Sequence, residues 1–100
     1  MTTDVFRFSM LPEVPVKEAE MTLQLATFAA EGLFGPSRIR LNLSYHLDAE
    51  RQAILIDGTT KEGSSVIRIF TGLLIREFGE NSFRVERLRS VSQPAKEVLS

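Results

Sequence analysis

Hydrophobic and polar residues alternate in several segments of the chain, and a period of two predicts β-strands. Strands are predicted over residues 4–10 and 38–47 on this basis. A third, over residues 51–57, is apolar on successive positions in its middle, as in a strand at the centre of a sheet. The last predicted strand begins at Phe83, and Leu88 breaks its alternation, which indicates a bulge or an early end.

Apolar residues recur at helical spacing in two longer segments. One helix is predicted over residues 16–34, ended by Gly35 and Pro36, and a second over residues 62–78. Residues 58–63, just before the second helix, are turn-forming and supply hydroxyl groups that can cap it.

The predicted order of elements, β-α-β-β-α-β, resembles the ferredoxin-like split βαβ sandwich. This α+β fold class implies a four-stranded antiparallel sheet with two helices on one face and the first and third strands in the centre. An isolated hairpin of the second and third strands is the alternative topology. The fold hosts many unrelated functions, so element order alone predicts none of them. We expect one domain over residues 1–89 and a C-terminal tail over residues 90–100.

Composition restricts the available chemistry. The chain has 100 residues with no cysteine and one histidine, which argues against disulfides, thiol catalysis and thiolate or imidazole-rich metal sites, so no metal and no cofactor is expected. A net charge of −1 gives no overall attraction to nucleic acid or to an anionic membrane. No membrane span or signal peptide is recognisable, so the predicted location is the cytoplasm.

Strand parity divides the predicted sheet into a face that packs on the helices and an open face. The residues predicted to face the helices are Phe6, Phe8, Met10, Ile39, Leu41, Leu43, Tyr45, Ile54, Ile56, Phe83 and Val85. The residues predicted on the open face are Val5, Arg7, Ser9, Arg38, Arg40, Asn42, Ser44, His46, Arg51, Ala53, Leu55, Arg84 and Glu86.

Basic residues are concentrated on this predicted open face, where only one acid accompanies them. Because arginine binds phosphate and carboxylate groups through paired hydrogen bonds, the face is a candidate site for nucleic acid or another anionic ligand. The alternative is a solvated face on which arginine stems cover apolar neighbours. No aromatic residue is predicted there for bases to stack on, which disfavours RNA. The candidate anion-binding residues are Arg7, Arg38, Arg40, Arg51 and Arg84.

An apolar strip of Val5, Ala53 and Leu55, bordered by Arg7 and Arg40, follows the two central strands of the predicted open face. An apolar centre with a polar rim is typical of a protein interface. The second predicted helix also carries more apolar residues than one packed stripe requires. We therefore predict a small non-catalytic interaction module that associates through these five residues, as a homodimer or with another protein, without contact to a membrane.

Two further patterns leave alternatives open. Residues 58–63 are either a turn with a helix cap or an anion site at the start of a helix. A small-molecule site at these residues, or at the loop after the first strand, would instead indicate a regulatory domain. His46 can titrate near neutral pH, but no carboxylate is identifiable to orient its ring. No catalytic residue is therefore predicted.

Overall fold

The computed structural model describes residues 2–91, with the side chains of residues 4–88. This part of the chain is an α+β structure with a four-stranded antiparallel sheet and three helices. The strands are β1 (Thr2–Met10), β2 (Tyr45–Asp48), β3 (Ala53–Asp57) and β4 (Phe83–Val91). The helices are α1 (Val16–Phe34), α2 (Pro36–Asn42) and α3 (Lys61–Phe78).

The sheet has the strand order β2-β3-β1-β4, and all neighbouring strands are antiparallel. The central positions predicted for the first and third strands are therefore confirmed. β1 pairs with β4 along its whole length, and Leu88 pairs in register with Val5. The bulge or early end predicted at Leu88 is therefore wrong, because the strand continues regularly to Val91. The rest of the predicted tail, from residue 92, lies outside the described residues.

One hydrophobic core fills the space between the helices and one face of the sheet. Phe8 on β1 is fully buried, with its ring centroid 4.8 Å from that of Phe70 on α3 and 6.3 Å from that of Phe83 on β4. Ile54 and Ile56 on β3 point to the same side and are also buried, as predicted. The helices contribute Val16, Ala19, Leu23, Ala26, Ala30, Ile39, Val66, Ile67, Phe70 and Leu74.

The strand predicted over residues 38–47 is wrong for residues 38–42, which belong to helix α2. Gly35 takes a φ of +89°, a conformation that suits glycine, and Pro36 occupies the first turn, where its fixed φ favours a helix start. Ile39 is buried, but it reaches the core from a helix and not from a strand. The alternation of apolar residues resembled a strand because a short helix with one buried residue leaves the other positions free to vary.

Three residues predicted to face the core are exposed. Leu41 lies on the outer side of α2 and is 82% exposed. Tyr45 and Val85 lie on the helix-facing side of the sheet by register, opposite Ile56 and Phe8 respectively, yet both are exposed. Their strands, β2 and β4, are the two edges of the sheet, where the helical layer gives less cover.

The start of α1 is held by the turn between β2 and β3. Pro15 is the N-cap and provides no side-chain hydrogen bond, but the Gln52 side-chain oxygen accepts the backbone N–H of Val16 at 3.1 Å. The backbone oxygen of Gln52 also accepts the N–H of Met10 at 2.8 Å. Gln52 therefore ties the end of β1 and the first turn of α1 to the same turn.

Candidate interaction surfaces

The open face of the sheet is defined by the strand register. Three rows of side chains cross it, each running from β4 over β1 to β3 and then to β2 or its N-terminal flank. The rows are Leu88, Val5, Asp57 and Ser44; Glu86, Arg7, Leu55 and His46; and Arg84, Ser9, Ala53 and Asp48. Compared with the predicted face, it lacks Arg38, Arg40 and Asn42, which lie on α2, and Arg51, which lies in the β2–β3 turn, and it gains Leu88, Asp48 and Asp57.

Four of the five predicted interface residues lie on this face, and their exposure is limited. Ala53 is only 1% exposed, so it offers almost no surface to a partner. Val5 and Leu55 are partly buried and line a shallow depression of about 290 Å³ together with Ser44, Tyr45, His46 and Asp57. Arg7 is partly buried beside them, and Arg40, the fifth, lies on α2.

The open face is also less basic than predicted, because acids neutralise its arginines. Arg7 Nη2 lies 2.5 Å from Glu86 Oε1, across the β1–β4 pair. Arg51 lies in the β2–β3 turn, with Nη1 3.0 Å from Asp48 Oδ2. This hydrogen bond from Arg51 lowers the pKa of the Asp48 carboxyl, against a smaller opposing effect of burial. Among the predicted arginines of this face, Arg84 remains without an ion pair in the described part of the chain.

Arg38 and Arg40 lie on α2 in the helical layer, so the prediction of five arginines on one face is wrong. The Arg38 guanidinium lies 4.9 Å from the centroid of the Phe34 ring. Its Nε donates to Glu62 Oε2 at 2.7 Å, and its Nη2 lies 2.5 Å from the same oxygen. Glu62 is 4% exposed, so this pair is a structural contact between α2 and α3.

The loop before α3 uses its own polar groups to close a turn. Thr60 is the N-cap, and its side-chain oxygen accepts the N–H of Gly63 at 2.9 Å. Asp57 Oδ1 accepts the N–H of Thr59 at 2.9 Å, and the N–H of Gly58 donates to the backbone oxygen of Asp4 at 2.7 Å. These amides already have partners within the chain, which favours the turn-and-cap interpretation over an anion site.

His46 lies on the open face beside Ser44 and Asp57, in the shallow depression of that face. Sequence reasoning assigned no carboxylate to this histidine, and strand pairing is what places Asp57 near it. The Asp57 carboxylate nevertheless accepts the Thr59 N–H. Within residues 2–91, no group of three or more histidine, aspartate or glutamate side chains is arranged to hold a metal ion.

The outer face of α1 is the apolar surface that sequence reasoning missed. Met21, Leu25 and Phe28 follow one another at helical spacing on the side opposite the core, and they are 65%, 61% and 74% exposed. We call these three residues the α1 stripe. Large apolar side chains are common singly on protein surfaces, but a contiguous group usually marks an interaction site.

The α1 segment over residues 21–30 contains no charged residue on any side. Two of its polar side chains, Thr22 and Thr27, donate their hydroxyl groups to the backbone oxygens of Glu18 and Leu23, one turn earlier. A helix that is apolar all round is typical of a buried helix. In the described structure only one side of this helix is covered, and the charge-free segment is the signal that could have predicted a second buried side.

Helix α3, which was predicted to have surplus apolar surface, is better covered. Its apolar residues include Val66, Ile67, Phe70 and Leu74, all buried, with Ile75 exposed. Arg68, Arg76 and Glu77 are charged and exposed on its outer side. The surplus that was expected on α3 is therefore found mainly on α1.

A groove of about 350 Å³ runs along the α1 stripe where α1 meets the C-terminal end of α3. On α1 it is lined by Glu18, Met21, Thr22 and Leu25, and on α3 by Glu77 and Phe78. The four α1 residues are spaced i, i+3, i+4 and i+7. This is the set that surrounds an inserted side chain when one helix packs against another.

None of the helices in the described residues combines the length and apolar character needed to cross a membrane. No protein-family model matches the chain, and a comparison with curated proteins found no significantly similar sequence.

Proposed function

We propose that the protein is a small non-catalytic interaction and assembly module that contacts its partner through the α1 stripe. The observation that carries the proposal is the exposure of Met21, Leu25 and Phe28 on a helix that has no charge over residues 21–30. A helix surface of this composition gains free energy when a second apolar surface removes it from water.

The gain is large enough to matter for association. Full burial of an aliphatic or aromatic side chain is worth roughly 1.5–3 kcal/mol. Three side chains that are each more than three-fifths exposed retain most of that amount for a partner. Their aromatic member, Phe28, is of the residue class enriched at the centres of protein interfaces.

The stripe is a better candidate than the open sheet face. On the open face the apolar residues Val5 and Leu55 are partly buried, and Ala53 is inaccessible. The surrounding arginines, Arg7 and Arg51, already bind acids of the same chain. A partner docking there would gain less apolar contact and would have to compete with existing ion pairs.

Photo-crosslinking at single positions tests the proposal. A benzophenone amino acid is placed at position 28 for the stripe, at position 55 for the open sheet face, or at position 41 on α2 as a control with similarly high exposure. The protein is irradiated in the cells that naturally produce it. We expect a discrete adduct from position 28 alone. An adduct from position 55 alone moves the interface to the sheet face, and equal labelling at all three positions overturns the proposal.

We also propose that the fold is a ferredoxin-like split βαβ sandwich to which α2 is added between the first helix and the second strand. The central positions of β1 and β3 support this proposal. The helical layer then consists of α1 and α3, with α2 in contact with both, and the outer side of α1 carries the stripe.

A further inference from the structure

We infer that the partner on the α1 stripe is a second copy of this chain, with the two α1 helices packed antiparallel about a two-fold axis near Gln24. This inference rests on the proposed function, since it uses the same surface. Three features of α1 support it: the spacing of the stripe, the position of the adjoining groove and the charges along one border of the stripe.

The stripe has the spacing of a helix-packing seam. Met21, Leu25 and Phe28 are separated by four and then three residues, and the same series is preceded by Glu18 and followed by Gly32. Such alternation of four and three keeps side chains on one side of a helix that faces another helix. Gly32 has open space around its Cα, so it presents no side chain to obstruct an approaching helix.

The groove beside the stripe lies where an antiparallel second copy would bring its aromatic residue. Because Met21 and Phe28 lie on opposite sides of residue 24, a two-fold axis there places Phe28 of each copy close to Met21 of the other. Met21 and Leu25 line this groove, together with Glu18 and Thr22 of the same helix. A two-fold contact of this kind uses the same surface on both subunits, so each copy inserts one phenylalanine and receives one.

Charges along one border of the stripe select the antiparallel arrangement. Lys17, Gln24 and Glu31 follow one another at intervals of seven residues and therefore lie on the same side of the helix. In an antiparallel pair this border of one copy faces the same border of the other copy, which runs in the opposite direction. Lys17 of each copy therefore faces Glu31 of the other, and the two Gln24 side chains meet at the two-fold axis. In a parallel pair this border faces the opposite border, where Thr22 and Ala29 carry no charge.

Lys17 and Glu31 are available for such contacts. Neither takes part in the ion pairs found among the described residues. Within one copy they are separated by about 21 Å along the helix, at 1.5 Å per residue, so they cannot pair with each other. Any interaction between them must therefore occur between two chains.

The test measures self-association of the purified chain by sedimentation and light scattering from about 1 μM to about 1 mM. We expect a dimer that Phe28→Glu weakens at least about a hundredfold, as expected for a central aromatic residue. Leu41→Glu, an equally drastic change at an exposed residue of α2, should leave the dissociation constant within about twofold. Thermal unfolding followed by circular dichroism confirms that both variants remain folded.

Charge reversal tests the direction of packing. Lys17→Glu and Glu31→Lys each make both border contacts repulsive and should weaken the dimer about tenfold, an effect that salt reduces. An equimolar mixture of the two variants restores both attractive contacts in an antiparallel heterodimer, with an affinity within about threefold of the original. If mixing gives no recovery, the antiparallel register is wrong.

Two further outcomes separate this inference from the proposed function. A chain that stays monomeric up to about 1 mM, while position 28 crosslinks to a different protein, overturns the second copy as partner and leaves the interaction module standing. A dimer that is unaffected by Phe28→Glu, together with crosslinks from position 55 alone, overturns both.

Discussion

A Cβ atom on Gly63 would lie 2.1 Å from the backbone oxygen of Asp57, a separation that no folded protein tolerates. Gly63 is in the first turn of α3, and Asp57 is the last residue of β3. The absence of a side chain at position 63 therefore lets the helix start directly against the end of the central strand.

Gly63→Ala should destabilise the protein by about 3 kcal/mol or more, because either α3 or the end of β3 has to move. Gly72→Ala is the matched control on the same helix. Nothing lies within 4 Å of a Cβ at position 72, so alanine there should stabilise the protein by about 0.5–1 kcal/mol through its better helix propensity. Urea unfolding of both variants measures the difference, and equal effects at the two positions would contradict the close contact.

Thr60 links the start of α3 to the end of α2. Its hydroxyl oxygen accepts the N–H of Gly63 at 2.9 Å, and its hydroxyl hydrogen is donated to the backbone oxygen of Asn42 at 3.0 Å. Thr60→Ala should therefore lower the free energy of unfolding by about 1–2 kcal/mol. Thr60→Ser keeps both hydrogen bonds and should lie within about 0.5 kcal/mol of the original protein. A serine variant as unstable as the alanine variant would show that the methyl group and not the hydroxyl matters.

Much of the sheet could be predicted from the sequence because side chains of its central strands alternate between the core and the open face. Phe8, Ile54 and Ile56 have to face the core, and a shift of one residue would expose all three. The secondary structure of residues 36–45 was harder to predict, because the alternation at Ile39 and Leu41 suits a strand whereas the Gly-Pro start suits a helix. Tertiary packing decides between them, and α2 is stabilised by contacts with α1 and α3.

The candidate interaction surface could be predicted only in part, because the apolar spacing of α1 was used to find only the side of the helix that packs on the core. The core stripe of α1, with Ala19 and Leu23, is the one that helical spacing detects first. The stripe with Leu25 and Phe28 lies on the opposite side and appears only when both sides of the helix are compared. The predicted group of arginines on one sheet face was wrong for a different reason. Pairs such as Arg38 and Glu62 form because elements distant in the sequence pack together, and a single sequence does not show which elements do so.

Gln52 should be sensitive to substitutions that remove its side-chain oxygen. It has a φ of +54°, and its side chain caps α1 by accepting the Val16 N–H. Gln52→Ala should cost about 1–2 kcal/mol from loss of the cap, while the strain of the left-handed backbone stays, because alanine carries a Cβ as glutamine does. Gln52→Gly loses the same cap without the strain and should be more stable than the alanine variant by about 0.5–1 kcal/mol. Chemical unfolding checks the order, and an alanine variant more stable than the glycine variant contradicts the argument.

Glu62 should make part of the stability dependent on pH. The pKa of its carboxyl is lowered, first because the carboxylate accepts a hydrogen bond from its own backbone N–H and further because of the Arg38 guanidinium, while burial acts in the opposite direction. A group with a lowered pKa in the folded state binds protons more readily when unfolded. Its stabilising contribution is therefore present above the unfolded-state pKa, near 4.5, and is lost as the pH falls through the lower pKa of the folded state.

Glu62→Gln removes that titration while keeping the size of the side chain. The difference in unfolding free energy between the original protein and this variant should be largest near neutral pH and should shrink as the pH falls below the unfolded-state pKa near 4.5. Asp48→Asn is the matched control, because an arginine also lowers the Asp48 pKa. The Asp48–Arg51 pair is more exposed than the Glu62–Arg38 pair, so solvent screens its charges more strongly. Urea unfolding between about pH 3 and pH 7 gives both curves. A Glu62→Gln difference that stays constant over this range would mean that the Arg38 contact stabilises the fold through packing rather than charge.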